Sequence, residues 1–76
     1  MENTQIIAEN IKLQIKKKNI TIKKMLEECS LGVNTVSKMA SGTDVTTRTL
    51  YKIADYLDCS VDYLLGRTDK PDSHKL

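Results

Sequence analysis

Seventy-six residues make one domain, near the lower limit at which a hydrophobic core alone sustains a fold. Three glycines, one proline (Pro71) and three tyrosines as the only aromatics argue against a barrel or sandwich and favour a bundle of short helices with an aliphatic core. The net charge of +2 is unevenly placed. Residues 1–48 carry eight basic side chains against five acidic ones, residues 49–76 four against five, and Lys12 to Lys24 hold six lysines and no acid. Such a face suits an anionic partner, and equally a simple coat of water.

Ile7, Ile11 and Ile15, four apart and joined by Ala8, predict a first helix over about Thr4 to Lys18. Ile6 and Leu13 form a second line at the edge of that face. Lys16, Lys17 and Lys18 fall in the last turn, where cations complement the carbonyl end of the helix dipole. Asn19 and Ile20 make a break, and Thr21 is the expected N-cap of a second helix reaching Glu28. Its inner side would carry Ile22, Met25, Leu26 and Cys29. Ser30 and Leu31 turn the corner, and Gly32 opens a third helix to about Ser41, with Val36 and Met39 inward. Asn34, Ser37, Lys38 and Ser41 are then left outside. Gly42 supplies the left-handed residue past the helix end.

Thr46 is the expected cap of a fourth helix, in which Leu50, Ile53, Ala54 and Leu57 give the clearest helical period of the chain. Asp58 and Cys59 break it. Ser60 caps a short fifth helix with Val61, Leu64 and Leu65 closing the core and Gly66 as its stop. The domain is thus expected over residues 1–66, followed by a polar, frayed tail over residues 67–76. Cys29 and Cys59 sit where the pattern wants apolar residues, and with one histidine (His74) they make no zinc set. A reducing, cytoplasmic setting is expected, with no signal peptide and no membrane span. No catalytic Ser/His/Asp group, paired carboxylates or glycine-rich phosphate loop stands out, so an enzyme is not expected, nor a metal, cofactor or small-molecule ligand.

A two-turn helix, a short corner and a second helix with a polar outer face have helix-turn-helix spacing. The major groove of DNA admits one helix, which the preceding helix braces from above. At this level ITIKKMLEECSLGVNTVSKMASG followed by TLYKIADYLDCSVDYLLGRTD resembles the Cro/C1-type (XRE-like) helix-turn-helix repressors of bacteria and their phages, over about Ile11 to Asp69. The resemblance implies an all-α, compact five-helix, lambda-repressor-like domain that binds double-stranded operator DNA and regulates transcription.

Carried over by position, the base-reading places fall on Gly32, Val33, Asn34, Ser37 and Lys38. Val33 suits a thymine methyl, Asn34 an adenine edge, and Lys38 guanine or a phosphate. Thr21, Lys23, Thr35 and Ser41 match places that usually hold the DNA backbone, and Thr46, Thr47 and Arg48 add phosphate contacts at the start of helix four. A homodimer on a palindromic operator, with half-sites about 34 Å apart, follows from the small size of one domain, with Tyr63 to Arg67 as the expected contact. The chain departs from the family in four places. Ile22 replaces the glutamine that often braces the third helix and bonds a phosphate. Leu26 stands for the usual alanine and Ser30 for the usual corner glycine, while Asp44 lies in a loop that is commonly basic. The alternative is a protein-interaction module of antitoxin or anti-repressor type, using Ile6, Leu13, Tyr51, Tyr56 and Tyr63 as its surface.

Overall fold

Periodicity, caps and breaks lead to the same elements in space. A computed structural model describes residues 4–67, with helices α1 (Thr4–Lys17), α2 (Ile22–Glu28), α3 (Thr35–Ala40), α4 (Thr47–Leu57) and α5 (Val61–Leu64), and no strand among them. The α1 stripe of Ile7, Ala8, Ile11 and Ile15 is buried, and so are all four periodic residues of α4. Helix α1 packs chiefly on α3 and α5, and α4 packs on α5. Met25 and Leu26 of α2, Val36 and Met39 of α3, and Leu64 complete the core. Cys59 is buried within it, while Cys29 is half-buried at its margin.

Three of the helices begin at the expected caps. Thr21 Oγ1 accepts from the Lys24 amide at 3.1 Å, Thr46 Oγ1 from Thr49 at 3.2 Å, and Ser60 Oγ from Tyr63 at 3.0 Å. All five helices end alike. Asn19, Ser30, Gly42, Asp58 and Gly66 each have a positive φ, between 53° and 96°. The amide of the residue after each reaches back to a carbonyl in the last turn: Ile20 to Ile15, Leu31 to Leu26, Thr43 to Lys38, Cys59 to Ala54 and Arg67 to Asp62, at 2.8–3.1 Å. At Gly66 a Cβ would also stand 2.9 Å from Ile6 Cγ2, so both backbone conformation and space require glycine there.

The structure corrects two expectations. The third helix starts at Thr35 rather than Gly32, because the Thr35 amide and hydroxyl both bond to the Gly32 carbonyl, at 3.1 and 2.7 Å, and close a separate turn. Asn34, with φ −95° and ψ 7°, lies outside the helical well. Tyr63, expected on a contact surface, is buried, and the Asn10 carboxamide of α1 donates to the Tyr63 and Leu64 carbonyls at 3.0 and 3.3 Å. Gln14, seven residues from Ile7 and on the same helical face, is buried although polar. No buried side-chain N or O atom among the described residues lacks a partner. The expected frayed tail and His74 lie outside the described residues, save Arg67.

Among the non-glycine residues in the left-handed region, Asn19 and Asp58 belong to types that tolerate it, whereas Ser30 does not. Ser30→Gly is expected to stabilise the domain by about 1 kcal/mol, raising the thermal midpoint by about 4–8 °C. Circular dichroism melts of the two proteins check this; an unchanged or lower midpoint would show the corner to be unstrained.

Candidate nucleic-acid interface

Helix α3 has only six residues, too few to persist alone in water. It is held by its inner side, where Val36 and Met39 are 3% and 1% exposed. The corner before it is fixed by the left-handed Ser30 and by half-buried Leu31. With those residues committed inward, Gly32, Val33, Asn34, Ser37, Lys38 and Ser41 are all exposed. The expected base-reading residues therefore lie on one continuous stretch. Three of them, Gly32, Val33 and Asn34, sit in the turn that leads into α3 and not on the helix itself.

The polar groups of this stretch are not equivalent. Ser37 Oγ donates to the Asn34 carbonyl at 3.2 Å, and Ser41 Oγ to that of Lys38 at 2.9 Å. Thr35, half-buried, has its hydroxyl on Gly32. These hydroxyls keep lone pairs to offer, but their protons are engaged by the backbone. The Asn34 side chain, by contrast, makes no capping bond to α3. It has two donors and an acceptor in one plane, the arrangement that matches an adenine edge.

The residues expected at the DNA backbone fall into further groups. Thr21 and Lys23 are exposed at the start of α2, and Thr46, Thr47 and Arg48 are exposed at the start of α4. The Thr46 hydroxyl is taken up locally, since it also donates to Thr49 Oγ1 at 2.9 Å. Asp44 is exposed just ahead of them. A family model of the Cro/C1-type helix-turn-helix DNA-binding domain matches residues 10–70. The chain belongs to that family. The match takes in both the helix-turn-helix and the α4–α5 half, and the family is one of DNA-binding domains without enzymatic activity. Comparison with curated proteins finds no match. Comparison with solved structures finds none either.

In this Cro/C1-type domain the end of α2 is tied to α4 by contacts that sequence reading missed. Tyr56 Oη donates to Glu28 Oε1 at 2.7 Å, and Lys24 Nζ lies 3.4 Å from Glu28 Oε2. The Lys24–Glu28 spacing of four residues is a legible helix pair, but the tyrosine comes from 28 residues away and only the fold brings it near. The Cys29 thiol points at the Lys52 carbonyl, 3.7 Å away, beside this clasp. Burial raises the Cys29 thiol and pushes that of Cys59 up to about 11, so both remain protonated at neutral pH. Among the described residues no three His, Cys, Asp or Glu side chains are grouped to hold a metal, and no helix is long and apolar enough to cross a membrane.

The Tyr56 bond, and after it Lys24, holds the Glu28 carboxyl below the usual carboxylate range. Its folded-state pKa is thus lower than its unfolded one, so the clasp's contribution is present above the ordinary carboxylate pKa and lost as pH falls through the folded value. Thermal melts of wild type and Tyr56→Phe are expected to differ at neutral pH and to converge as the pH falls below the ordinary carboxylate range. A difference that persists in acid would mean that the tyrosine acts through packing alone.

Proposed function

We propose that this Cro/C1-type domain is a sequence-specific transcriptional regulator, acting as a repressor in the cytoplasm, that presents α3 and the turn before it to the major groove. The observation that carries the proposal is the division of that short segment into two sides. Val36 and Met39 are no more than 3% exposed, while Asn34, Ser37 and Lys38 stand together in solvent on the opposite side. A segment so backed presents its donors at little further cost in conformational entropy, which favours discrimination between similar sites.

In this reading Gly32, Val33, Asn34, Ser37 and Lys38 face base edges. Asn34 and Lys38 each contribute discrimination of about 1–3 kcal/mol at most. Thr21 and Lys23 contact phosphates from the start of α2, with Thr35 and Ser41 beside the groove and Thr46, Thr47 and Arg48 on the next stretch of backbone. Gly32 has no side chain to hold the duplex away. The partner is double-stranded DNA, bound as a homodimer on a palindromic operator with half-sites about 34 Å apart. Burial of Tyr63 removes it from the dimer contact, leaving Leu65 to Arg67 of the expected stretch. Ile6, Leu13 and Tyr51 remain exposed, and these are the residues a protein-binding module would use instead.

Selection from a random duplex library tests the proposal: a preferred, two-fold symmetric site is expected, and enrichment of no site would overturn it. Asn34→Ala should relax the sequence preference with only partial loss of affinity; equal weakening on selected and random DNA would remove Asn34 from base reading. Lys23→Ala should weaken binding to any sequence and reduce the salt slope by about 2 for the homodimer, one phosphate contact being lost from each protomer. An unchanged slope would place Lys23 off the interface.

A further inference from the structure

Helix α2 has seven residues, too few to persist alone in water. The extended helix–helix contacts of the domain join α1 to α3, α1 to α5 and α4 to α5, and leave α2 out. Met25 and Leu26 anchor its middle in the core. One such anchor leaves a short rod free to tilt, and a second point of attachment fixes its direction. That second point is at the end of α2, where Glu28 Oε1 accepts from Tyr56 Oη at 2.7 Å and Cys29 Sγ lies 3.7 Å from the Lys52 carbonyl.

Glu28 does not stabilise α2 by its position. The last turn carries Glu27 and Glu28 and no basic residue, the reverse of what the carbonyl end of a helix dipole favours. Lys24, one turn earlier, lies 3.4 Å from Glu28 Oε2 and steadies the carboxylate for its partner on α4. Tyr56 is half-buried against the core, so its ring presents the hydroxyl from a fixed place.

We propose that Tyr56 and Glu28 are positioning residues for DNA binding, which set the spacing between the two groups of phosphate contacts. This role rests on the proposed reading, with Thr21 and Lys23 at the start of α2 and Thr46, Thr47 and Arg48 at the start of α4 holding the DNA backbone. Glu28 is the last residue of α2 and Tyr56 the last but one of α4. The clasp therefore joins the two helices at the ends opposite to those that face phosphates. A helix is rigid along its length, so a tilt at the clasped end of α2 is repeated at Thr21 and Lys23. The stretch from Gly32 to Lys38 follows α2 through the left-handed corner at Ser30 and keeps its own geometry. Loosening the clasp thus lowers the fraction of molecules that fit both stretches of backbone at once, and apparent affinity falls by that fraction on any sequence.

Tyr56→Phe, which keeps the ring and removes the hydroxyl, tests the role. Binding is measured at a temperature where circular dichroism shows both proteins fully folded, so that a loss of stability alone does not reach the affinity. The variant is expected to bind selected and random duplexes about threefold more weakly per protomer, or about tenfold as a homodimer, with the ratio between them unchanged. Glu28→Ala should weaken binding likewise, and Glu28→Gln, which keeps an acceptor for the hydroxyl, should recover most of the loss. Ile7→Val, a destabilising change in the core face of α1, should bind as wild type does. Full affinity in Tyr56→Phe, an equal loss in Ile7→Val, or no recovery in Glu28→Gln would overturn the positioning role and leave the regulator reading standing. A wild-type selection without any preferred site would overturn both.

Discussion

Burial of Val36 and Met39 is the constraint from which the rest of the exposed surface follows. Helix α3 is about one and a half turns long, and a helix of that length does not hold itself together in water. Burying two such side chains is worth about 1.5–3 kcal/mol each, which is enough to fix the helix only because α1 offers a surface already formed by Ile7, Ile11 and Ile15. The longest helix is therefore the scaffold and the six-residue helix is its cargo. Rotation of α3 by one residue would bury Ser37 or Lys38 and expose Val36 or Met39. The same burial that stabilises the domain thus sets which side chains face outward.

The ends of the helices show a second form of the same economy. Asn19, Ser30 and Asp58 adopt left-handed backbone without being glycine, at a cost of about 1–2 kcal/mol for a residue without local compensation. Each is followed by an apolar residue that packs against the core: Ile20, Leu31 and Cys59. The two glycines in the same role, Gly42 and Gly66, are followed by Thr43 and Arg67, which are exposed. Burial of the next side chain offsets the backbone strain where glycine is missing, and where no such burial is on offer the chain uses glycine. At Ser30 this exchange fixes the angle between α2 and α3. That is how the corner survives the loss of the family's usual glycine, and Leu26, large where alanine is usual, is accommodated by being buried next to it.

The five helices were legible because their signals are local. The Ile7–Ile11–Ile15 stripe, the Leu50–Leu57 period and the caps at Thr21, Thr46 and Ser60 each depend on residues within two turns of one another. The start of α3 was not legible, because Asn34 and Thr35 suit a helix and a preceding turn equally well; the bond from the Thr35 hydroxyl to Gly32 decides between them. Gln14 was missed because its position fits the buried stripe but its chemistry does not. The Asn10 bonds to α5 and the Tyr56–Glu28 bond join residues 53, 54 and 28 apart, and no local rule predicts such pairs. Of the candidate interface, the outward direction of Asn34, Ser37 and Lys38 was legible from the inward commitment of Val36 and Met39. The engagement of the hydroxyls by the backbone was not.

The interface also separates two tasks. Lysines concentrated between Lys12 and Lys24 supply attraction to any polyanion, and that attraction falls with salt. It is weakened locally by Glu27 near the corner and Asp44 before α4, both exposed. On the outer stretch itself, Lys38 is the only charge from Gly32 to Ser41, and the remaining groups are a carboxamide, backbone-bonded hydroxyls and the apolar side chain of Val33. None of these carries a charge to attract a phosphate from a distance. A carboxamide against a base edge loses its value when the wrong base is present, whereas a lysine against a phosphate loses little. With so few charges at the centre, attraction to any polyanion rests on the flanks, and in the proposed reading the preference for one sequence over another rests on the exposed side chains from Val33 to Lys38.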